Sequence, residues 1–272
     1  MTPNTSRTLL VTLLGAFARR VGDWLPVKVI VALLEELGVD ESSARTGVSR
    51  LKKRGWLEPE KRGSVTGYRL TDLARDTLAS GDEYIWHSRQ PADLADGWCI
   101  ATFSVPEDQR AHRHLLRSRL ASLGFGNVGQ GVWIAPARMA PSALDLVTRL
   151  DLASNTILLV GDRVGGQELS QLAREAWDLD AIDAGYRAFL ARHEPGFAAL
   201  RDGGALPSPR TAYTHYVRAL NDWRVLPMRD PALPRELLPS DWAGEPATRL
   251  IEEIVTRLDE PAFAHVRAEL AR

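Results

Sequence analysis

The fold of the N-terminal third is specified most clearly by the stretch DESSARTGVSRLKKR, which runs from Asp40 to Arg54. An aspartate at its start suits the N-cap of a helix, because the carboxylate accepts hydrogen bonds from unpaired backbone N–H groups. At 100° per residue, Ala44, Val48 and Leu51 fall within one narrow sector and are expected to face a core. The stretch therefore predicts an amphipathic helix from about Asp40 to Arg54.

The opposite side of this helix collects hydroxyl and basic side chains. Arginine can pair bidentately with guanine, while serine and threonine contact phosphates or base edges, so these residue types suit the major groove of DNA. A run of charged residues alone more often marks a solvated helix face. The flanking segments therefore distinguish a solvated face from a DNA-binding one. The residues predicted to contact DNA from this helix are Ser42, Ser43, Arg45, Thr46, Ser49, Arg50, Lys52 and Lys53.

The segments upstream predict two further helices. Apolar residues recur at helical spacing from Leu9 to Phe17 and again from Val27 to Leu37. Gly38 suits the C-cap of the second helix, which leaves a turn of about three residues before the third. Two helices joined by so short a turn are typical of a helix-turn-helix.

A basic β-hairpin is predicted downstream. Gly55 ends the third helix, a strand begins at Trp56, a tip with Lys61 and Arg62 follows, and a strand returns through Leu70 before a helix at 71–80. A basic hairpin tip commonly reaches the phosphate backbone or minor groove. We therefore predict a winged helix-turn-helix over residues 1–82, with Lys61 and Arg62 adding affinity.

Charge is divided unevenly along the chain. The formal net charge is −1, but residues 1–80 carry +4 and the remainder −5. No stretch approaches the ~18 apolar residues of a membrane span, and the N-terminus lacks a signal-peptide pattern, so we expect a cytoplasmic protein. The single cysteine, Cys99, excludes an internal disulfide and disfavours a thiolate metal site.

Two further domains are predicted after a linker at 83–96. Residues 97–165 alternate strand and helix in the order βαββαβ, the pattern of a ferredoxin-like domain. Residues 166–272 are mainly helical, with helices at 168–177, 180–193, 210–223 and 246–258 and a proline-rich connection expected to be irregular and to run over the surface. The predicted fold class is α+β.

Four separated motifs resemble the PaaX family of phenylacetate-degradation repressors. They are DESSARTGVSRLKKRGWLE at 40–58, FGNVGQGVWIAP at 125–136, WDLD at 177–180 with YRAFL at 186–190, and LPRELLPSDW at 233–242. The resemblance implies a Cas2-like central domain and a homodimer that binds a palindromic operator as a repressor. It also implies no cofactor and an effector of the aryl-acyl-CoA class, typically phenylacetyl-CoA, that releases the protein from DNA.

Enzymatic alternatives are weaker on the residues present. A Cas2-like nuclease uses an acidic residue near the end of its first strand to hold a metal ion, whereas this chain has Ser104 there. His112 and His114 lie two positions apart on a helix and are poor joint ligands. We predict no catalytic or metal site. A metal-dependent nuclease, a CoA-thioester enzyme, an activator and a regulator of another catabolic pathway stay open as alternatives.

Candidate effector contacts follow from the chemistry of an aryl-acyl-CoA. Arginines suit its phosphates, and aromatic or polar aromatic side chains suit its acyl group. His215 lies in a helix rich in such groups, although a structural histidine is the more common role. The candidates are Trp133, Arg163, Tyr213, His215, Arg218 and Trp223.

Overall fold

The structure is a computed structural model that describes residues 5–86, 91–201 and 204–272. Part of the predicted linker, residues 87–90, lies outside the described residues, as do 1–4 and 202–203 of the flanking predicted domains. The chain forms two compact units. Unit 1 combines residues up to Glu83 with Tyr186–Val225 and Gly244–Arg272, and unit 2 comprises Tyr84–Gly185 and Leu226–Ala243. This division differs from the three predicted domains, whose bounds stay a prediction.

The chain is α+β, with ten α-helices and seven strands among the described residues. The helices are α1 (Ser6–Phe17), α2 (Val27–Glu36), α3 (Glu41–Lys53), α4 (Asp72–Trp86), α5 (Arg110–Ser122), α6 (Ala140–Arg149), α7 (Leu169–Ala176), α8 (Leu179–Arg201), α9 (Pro209–Trp223) and α10 (Gly244–Leu270). The strands are β1 (Trp24–Pro26), β2 (Leu57–Arg62), β3 (Val65–Leu70), β4 (Trp98–Phe103), β5 (Gly126–Gly129), β6 (Val132–Pro136) and β7 (Thr156–Gly161). No described helix is both long and apolar enough to cross a membrane.

Helix α3 begins where the sequence predicts. The carboxylate of Asp40 accepts a 2.8 Å hydrogen bond from the backbone N–H of Ser43. Hydrogen bonds from the side chain and the backbone of Ser43 lower the pKa of Asp40. Ala44, Val48 and Leu51 are buried, as their spacing predicts. Because only four residues separate the end of α2 from the start of α3, the two helices are held close at this turn.

The predicted hairpin is present and forms part of a three-stranded antiparallel sheet in the order β1-β3-β2. Its register pairs Leu57 with Leu70 at the base and Arg62 with Val65 at the tip. A two-residue turn at 63–64 closes it, with Gly63 in the left-handed region at φ 59°. The basic residues therefore lie at the far end of the hairpin.

The ring of Trp24 packs directly on Gly67 of β3 and leaves no room for a side chain there. A substitution at Gly67 therefore tests the packing of the hairpin. A Cβ added there would lie 2.5 Å from the Trp24 ring and 2.6 Å from the Leu25 carbonyl oxygen. We expect Gly67→Ala to lower the free energy of unfolding by at least ~1 kcal/mol, because backbone and a packed ring have to shift. Urea unfolding monitored by tryptophan fluorescence measures this. Thr66→Ala, at the exposed neighbouring position, is the control, and an equal loss in both variants would contradict the steric explanation.

Helices from the C-terminal part of the chain pack on α1 and α2 within unit 1. The Tyr213 hydroxyl of α9 donates to the backbone oxygen of Leu33 in α2 at 2.9 Å, and its ring lies 5.9 Å from that of Phe17 in α1. The Thr12 hydroxyl donates to Asn221 at 3.2 Å. The N-terminal helices and α9 thus share one core, an association that the sequence analysis does not predict.

Unit 2 is built on a four-stranded antiparallel sheet in the order β5-β6-β4-β7. With α5 after β4 and α6 after β6, this is the predicted βαββαβ order. Leu116 and Leu120 of α5 and Leu146 of α6 pack with Trp133 of β6 in its core. The predicted central fold is confirmed at the level of its elements and their order.

Two helix ends were predicted wrongly, and a proline follows each predicted end. Helix α8 was expected to stop at His193 but runs to Arg201 through Pro195, and α10 was expected to stop at Leu258 but runs to Leu270 through Pro261. Proline removes one backbone hydrogen bond, yet buried apolar residues beyond it hold each helix in place. These buried residues are Phe197 and Leu200 in α8 and Ala262 and Val266 in α10.

The proline-rich connection is irregular, as predicted, but it does more than run over the surface. Leu233 is fully buried, and Leu237 and Trp242 are nearly so. The backbone oxygen of Ala232 accepts a 3.0 Å hydrogen bond from the backbone N–H of Ala92. Exposed residues such as Met228 keep part of the connection at the surface, as expected, whereas these apolar anchors tie the rest of it into unit 2.

Candidate functional site

The outer face of α3 is open to solvent along its whole length. Of the eight residues predicted there, Ser42, Arg45, Thr46, Ser49, Arg50, Lys52 and Lys53 are exposed and Ser43 is half-buried beside the Asp40 cap. A shallow depression runs along Ser42, Arg45, Thr46 and Ser49. The helix thus presents short polar groups and one arginine in a continuous row.

Charge on this face is only partly neutralised. Arg45 pairs with Glu41, one turn earlier, at 2.7 Å. Among the described residues, none forms an ion pair with Arg50, Lys52 or Lys53. An exposed pair between residues four apart contributes only about 0.3–0.5 kcal/mol, so Arg45 can leave Glu41 at small cost.

The tip of the β2–β3 hairpin adds Lys61 and Arg62, both exposed. Arg62 bonds Glu60 at 2.6 Å and lies over the Trp24 ring at 4.7 Å, which holds it along the hairpin. Arg69 pairs with the same Glu60 at 2.9 Å. Arg62 and Arg69 both pair with Glu60, the acidic residue next to Lys61. Among the described residues, the ammonium of Lys61 therefore has no ion-pair partner at the tip.

A cavity of about 370 Å³ lies between α8, α9 and α10, beside the end of α2. Its walls combine apolar side chains with charged and titratable ones. The apolar residues are Leu37, Phe197, Ile254 and Leu258, and the others are Arg192, His193, His215, Arg218 and Asp222. Such a mixture suits a small molecule that has an apolar part and an anionic part.

Asp222 is the electrostatic centre of one wall. One oxygen of its carboxylate lies 3.0 Å from both His193 Nε2 and an Arg192 guanidinium nitrogen. Burial alone would raise the pKa of Asp222, but the hydrogen bonds from His193 and Arg192 outweigh burial and lower it. The carboxylate therefore stays ionised and orients both cationic side chains.

A depressed pKa makes Asp222 a source of acid sensitivity. Its contribution to stability is present above the pKa of an unfolded aspartate, about 4, and is lost as pH falls through the lower folded value. We expect the free energy of unfolding to fall less between pH 5 and pH 3 in Asp222→Asn than in the wild type. Urea titrations at each pH measure this difference. The exposed Asp76 gives the control Asp76→Asn, and identical pH profiles for Asp222→Asn and the wild type would contradict the assignment.

His215 and Arg218 lie one helical turn apart on α9 and both line the cavity. Burial at the cavity wall, followed by the charges of Arg218 and His193, lowers the pKa of His215, which favours a neutral imidazole. Arg218 also donates a long hydrogen bond, 3.4 Å, to the backbone oxygen of Leu37. Leu37 caps the end of α2, so the cavity is linked to the turn that leads into α3.

The other predicted effector residues lie elsewhere. Tyr213 and Trp223 are fully buried in the core of unit 1, the latter 5.3 Å from the ring of Phe189. Trp133 lies in the core of unit 2, and Arg163 closes a turn by donating to the backbone oxygens of Gly166 and Gln167. Only His215 and Arg218 of the six line this cavity. Sequence reasoning missed Arg192, His193 and Asp222, which no motif connects.

One group of described side chains has the composition of a metal site. Ligand atoms of Glu36, His265 and Glu269 lie within 4.8 Å of one another. Each carboxylate already has an arginine partner: Arg210 lies 3.1 Å from Glu36, and Arg272 lies 2.5 Å from Glu269. His265 bonds Glu36 at 2.7 Å. We interpret the group as an ion-pair network that joins α2 to α10.

The position expected to carry a nuclease carboxylate holds Ser104, directly after β4. The backbone N–H of Ser104 donates a 2.9 Å hydrogen bond to the backbone oxygen of Asn155. In return, the side-chain amide of Asn155 donates a 3.2 Å hydrogen bond to the backbone oxygen of Ser104. His112 and His114 are exposed on α5.

Comparisons with known families match three family models in order along the chain. Residues 5–74 match the model described as PaaX-like protein, 91–173 the PaaX protein central Cas2-like domain, and 177–268 the PaaX-like protein C-terminal domain. The central match agrees with the sheet order of unit 2.

Individual relatives agree with this result. The chain is 27% identical over 267 residues to the transcriptional repressor PaaX of Escherichia coli strain K12, covering 97% of this chain and 84% of that protein. It is similar in fold to the uncharacterized protein Rv0674 from Mycobacterium tuberculosis, with a TM-score of 0.64 and 22% identity over 97% of this chain and 98% of that chain.

Together, the matches and the exposed polar face of α3 define the class of protein as a transcriptional regulator. The chain belongs to the PaaX family.

Proposed function

We propose that this chain is a sequence-specific DNA-binding repressor in which residues 1–82 act as a winged helix-turn-helix. The observation that carries the proposal is the exposed row of Ser42, Arg45, Thr46 and Ser49 on α3, beside a hairpin tipped by Lys61. In this arrangement α3 enters the major groove and reads base edges. The hairpin contacts the phosphate backbone and adds affinity without much sequence information.

The repressor acts as a homodimer on a palindromic operator. A two-fold dimer places two α3 helices in successive major-groove segments, so the operator mirrors the symmetry of the protein. Strand β7 supports self-association, because it lies at the edge of its sheet and exposes Ile157, Leu159 and Val160. An exposed apolar edge strand is a surface that proteins usually cover.

An aryl-acyl-CoA, in the first place phenylacetyl-CoA, releases the repressor from DNA. The cavity of unit 1 supports this step, since its apolar wall suits an aryl group and Arg218 suits a polar or anionic group. An effector can weaken DNA binding only if it favours the DNA-free conformation. A ligand bound at Arg218 has such a route, because Arg218 contacts the backbone oxygen of Leu37 and Leu37 leads into α3. No cofactor is required, and the regulated genes are those of an aromatic-acid catabolic pathway.

Binding-site selection from a random duplex library tests DNA recognition without knowledge of the operator. We expect enrichment of one inverted repeat with half-sites about one helical turn apart. Fluorescence anisotropy with the enriched duplex then measures affinity at several salt concentrations, with and without phenylacetyl-CoA, while light scattering gives the mass of the complex. Absence of any enriched sequence would overturn the proposal. In a reporter assay, a repressor lowers expression from the enriched site, whereas an increase identifies an activator.

A further inference from the structure

A second cavity, in unit 2, has a different character from the one described above. It has a volume of about 800 Å³ and lies where β4 ends, between α5 and the β5–β6 turn. Arg110, Arg113 and Arg117 of α5 line it, and their spacing of three and four residues places them on one side of the helix. Three guanidinium groups therefore converge on one concave site.

The remaining walls combine neutral hydrogen-bonding groups with His114 and the apolar residues Phe103 and Val105. Asn127 of β5 and Gln130 of the β5–β6 turn offer amides, and Ser104 offers a hydroxyl. Gly131 continues the turn in the left-handed region, at φ 74°. Side-chain amides and a hydroxyl are able to bond a sugar or base edge next to a phosphate group.

The charge of this cavity is positive. No acidic side chain is among the described residues that line it. One lining arginine, Arg113, forms an ion pair with Glu107 at 2.6 Å, and Glu107 is largely exposed. Within the described part of the chain, Arg110 and Arg117 have no ion-pair partner, so two guanidinium charges are available to a ligand. At the end of β4, where a nuclease of this fold would need a carboxylate to hold a metal ion, this chain has a serine beside arginines.

We infer that this cavity binds a phosphorylated small molecule of nucleotide size through its diphosphate or paired phosphate groups. Arginine is suited to phosphate because its planar fork makes two parallel hydrogen bonds to the oxygens. A volume of about 800 Å³ fits a nucleotide, and a concave site suits a small ligand better than the convex backbone of duplex DNA. The inference does not depend on DNA binding, but an acyl-CoA also carries a diphosphate, so the nucleotide part of the proposed effector is one source of such a ligand.

Isothermal titration of the full chain with ADP tests the site, with inorganic pyrophosphate as competitor. We expect saturable binding that weakens with added salt, and a loss of affinity of about tenfold or more in Arg117→Ala, since hydrogen bonds to a charged group are the stronger ones. Arg119→Ala is the matched control, because Arg119 is exposed on the same helix but does not line the cavity. That variant should bind ADP within twofold of the wild type.

Three results would overturn the inference. The first is the absence of binding heat at millimolar ADP, and the second is an equal loss of ADP affinity in Arg117→Ala and Arg119→Ala. The third is displacement of ADP by a short DNA duplex but not by pyrophosphate, which would identify the DNA backbone as the ligand. Circular dichroism checks folding of each variant. If Arg117→Ala is unfolded, Arg110→Ala at the exposed first turn of α5 replaces it with the same expectation.

Discussion

Replacing Arg45 by alanine is expected to weaken binding to the selected operator by about 1–3 kcal/mol, or roughly 5- to 150-fold, and to relax preference at one base pair. The reason is its place in the middle of the exposed row on α3, where a guanidinium can reach guanine O6 and N7. Its pairing with Glu41 subtracts little, since an exposed pair of this kind contributes less than 1 kcal/mol. Anisotropy with the operator and with duplexes altered at single positions measures both effects.

Lys61→Ala is the matched comparison for Arg45→Ala. Lys61 lies at the hairpin tip, so its loss should weaken all sequences alike and reduce the slope of log affinity against log salt by about one. Glu41→Gln should slightly strengthen binding to any duplex, because it removes a carboxylate beside Arg45. If Arg45→Ala behaved like Lys61→Ala, with uniform weakening and an unchanged base preference, then α3 would not face the bases as proposed.

Local signals explain why α3 and the hairpin could be predicted from sequence. Asp40 caps the helix through Ser43, three apolar residues repeat at helical spacing, and Gly55 follows its end in the left-handed region. Each signal acts over a few residues, so it is visible without tertiary structure. The same holds for β4 to β7, where short apolar strands alternate with amphipathic helices.

Long-range packing explains what the sequence did not predict. Tyr213 reaches Leu33 and His265 reaches Glu36, pairs separated by 180 and 229 residues, and no local pattern encodes either contact. The same packing carries α10 past Pro261, because Ala262 and Val266 are buried beyond it. Local rules identify proline as a breaker, whereas the burial that outweighs it depends on distant residues.

This packing bears on the proposed control of DNA binding. A predicted domain boundary at 82 separates the segment proposed to bind DNA from the predicted effector residues, but α9 and α10 share a compact unit with α1 to α3. A ligand in the cavity of unit 1 therefore needs no distant relay. Leu37, which accepts the hydrogen bond from Arg218, lies four residues before Glu41, the first residue of α3.

Arg218→Gln is expected to leave operator affinity within about threefold of the wild type while sharply reducing release by phenylacetyl-CoA. If the effector weakens wild-type binding ~100-fold, the coupling free energy is roughly 2.7 kcal/mol, and loss of the charged contact should lower this release to below about tenfold. Glutamine is two bonds shorter than arginine, so the variant removes both the positive charge and the 3.4 Å hydrogen bond to the Leu37 oxygen, which is too long to contribute much to operator affinity. Anisotropy titrations with operator at increasing effector concentration measure both quantities.

A second variant tests the cavity by its volume rather than its charge. A Cβ on Gly196 would lie 3.6 Å from His215, an ordinary contact, so Gly196→Ala should be tolerated, whereas Gly196→Leu should fill part of the space between α8 and α9. We expect Gly196→Leu to bind operator normally and to resist release. Arg249→Gln, which removes the same charge from α10 away from the cavity, should respond like the wild type. Normal release in both Arg218→Gln and Gly196→Leu would place the effector elsewhere and leave the DNA-binding proposal intact. A failure of the wild type to bind any operator would instead contradict both the DNA-binding proposal and the effector proposal.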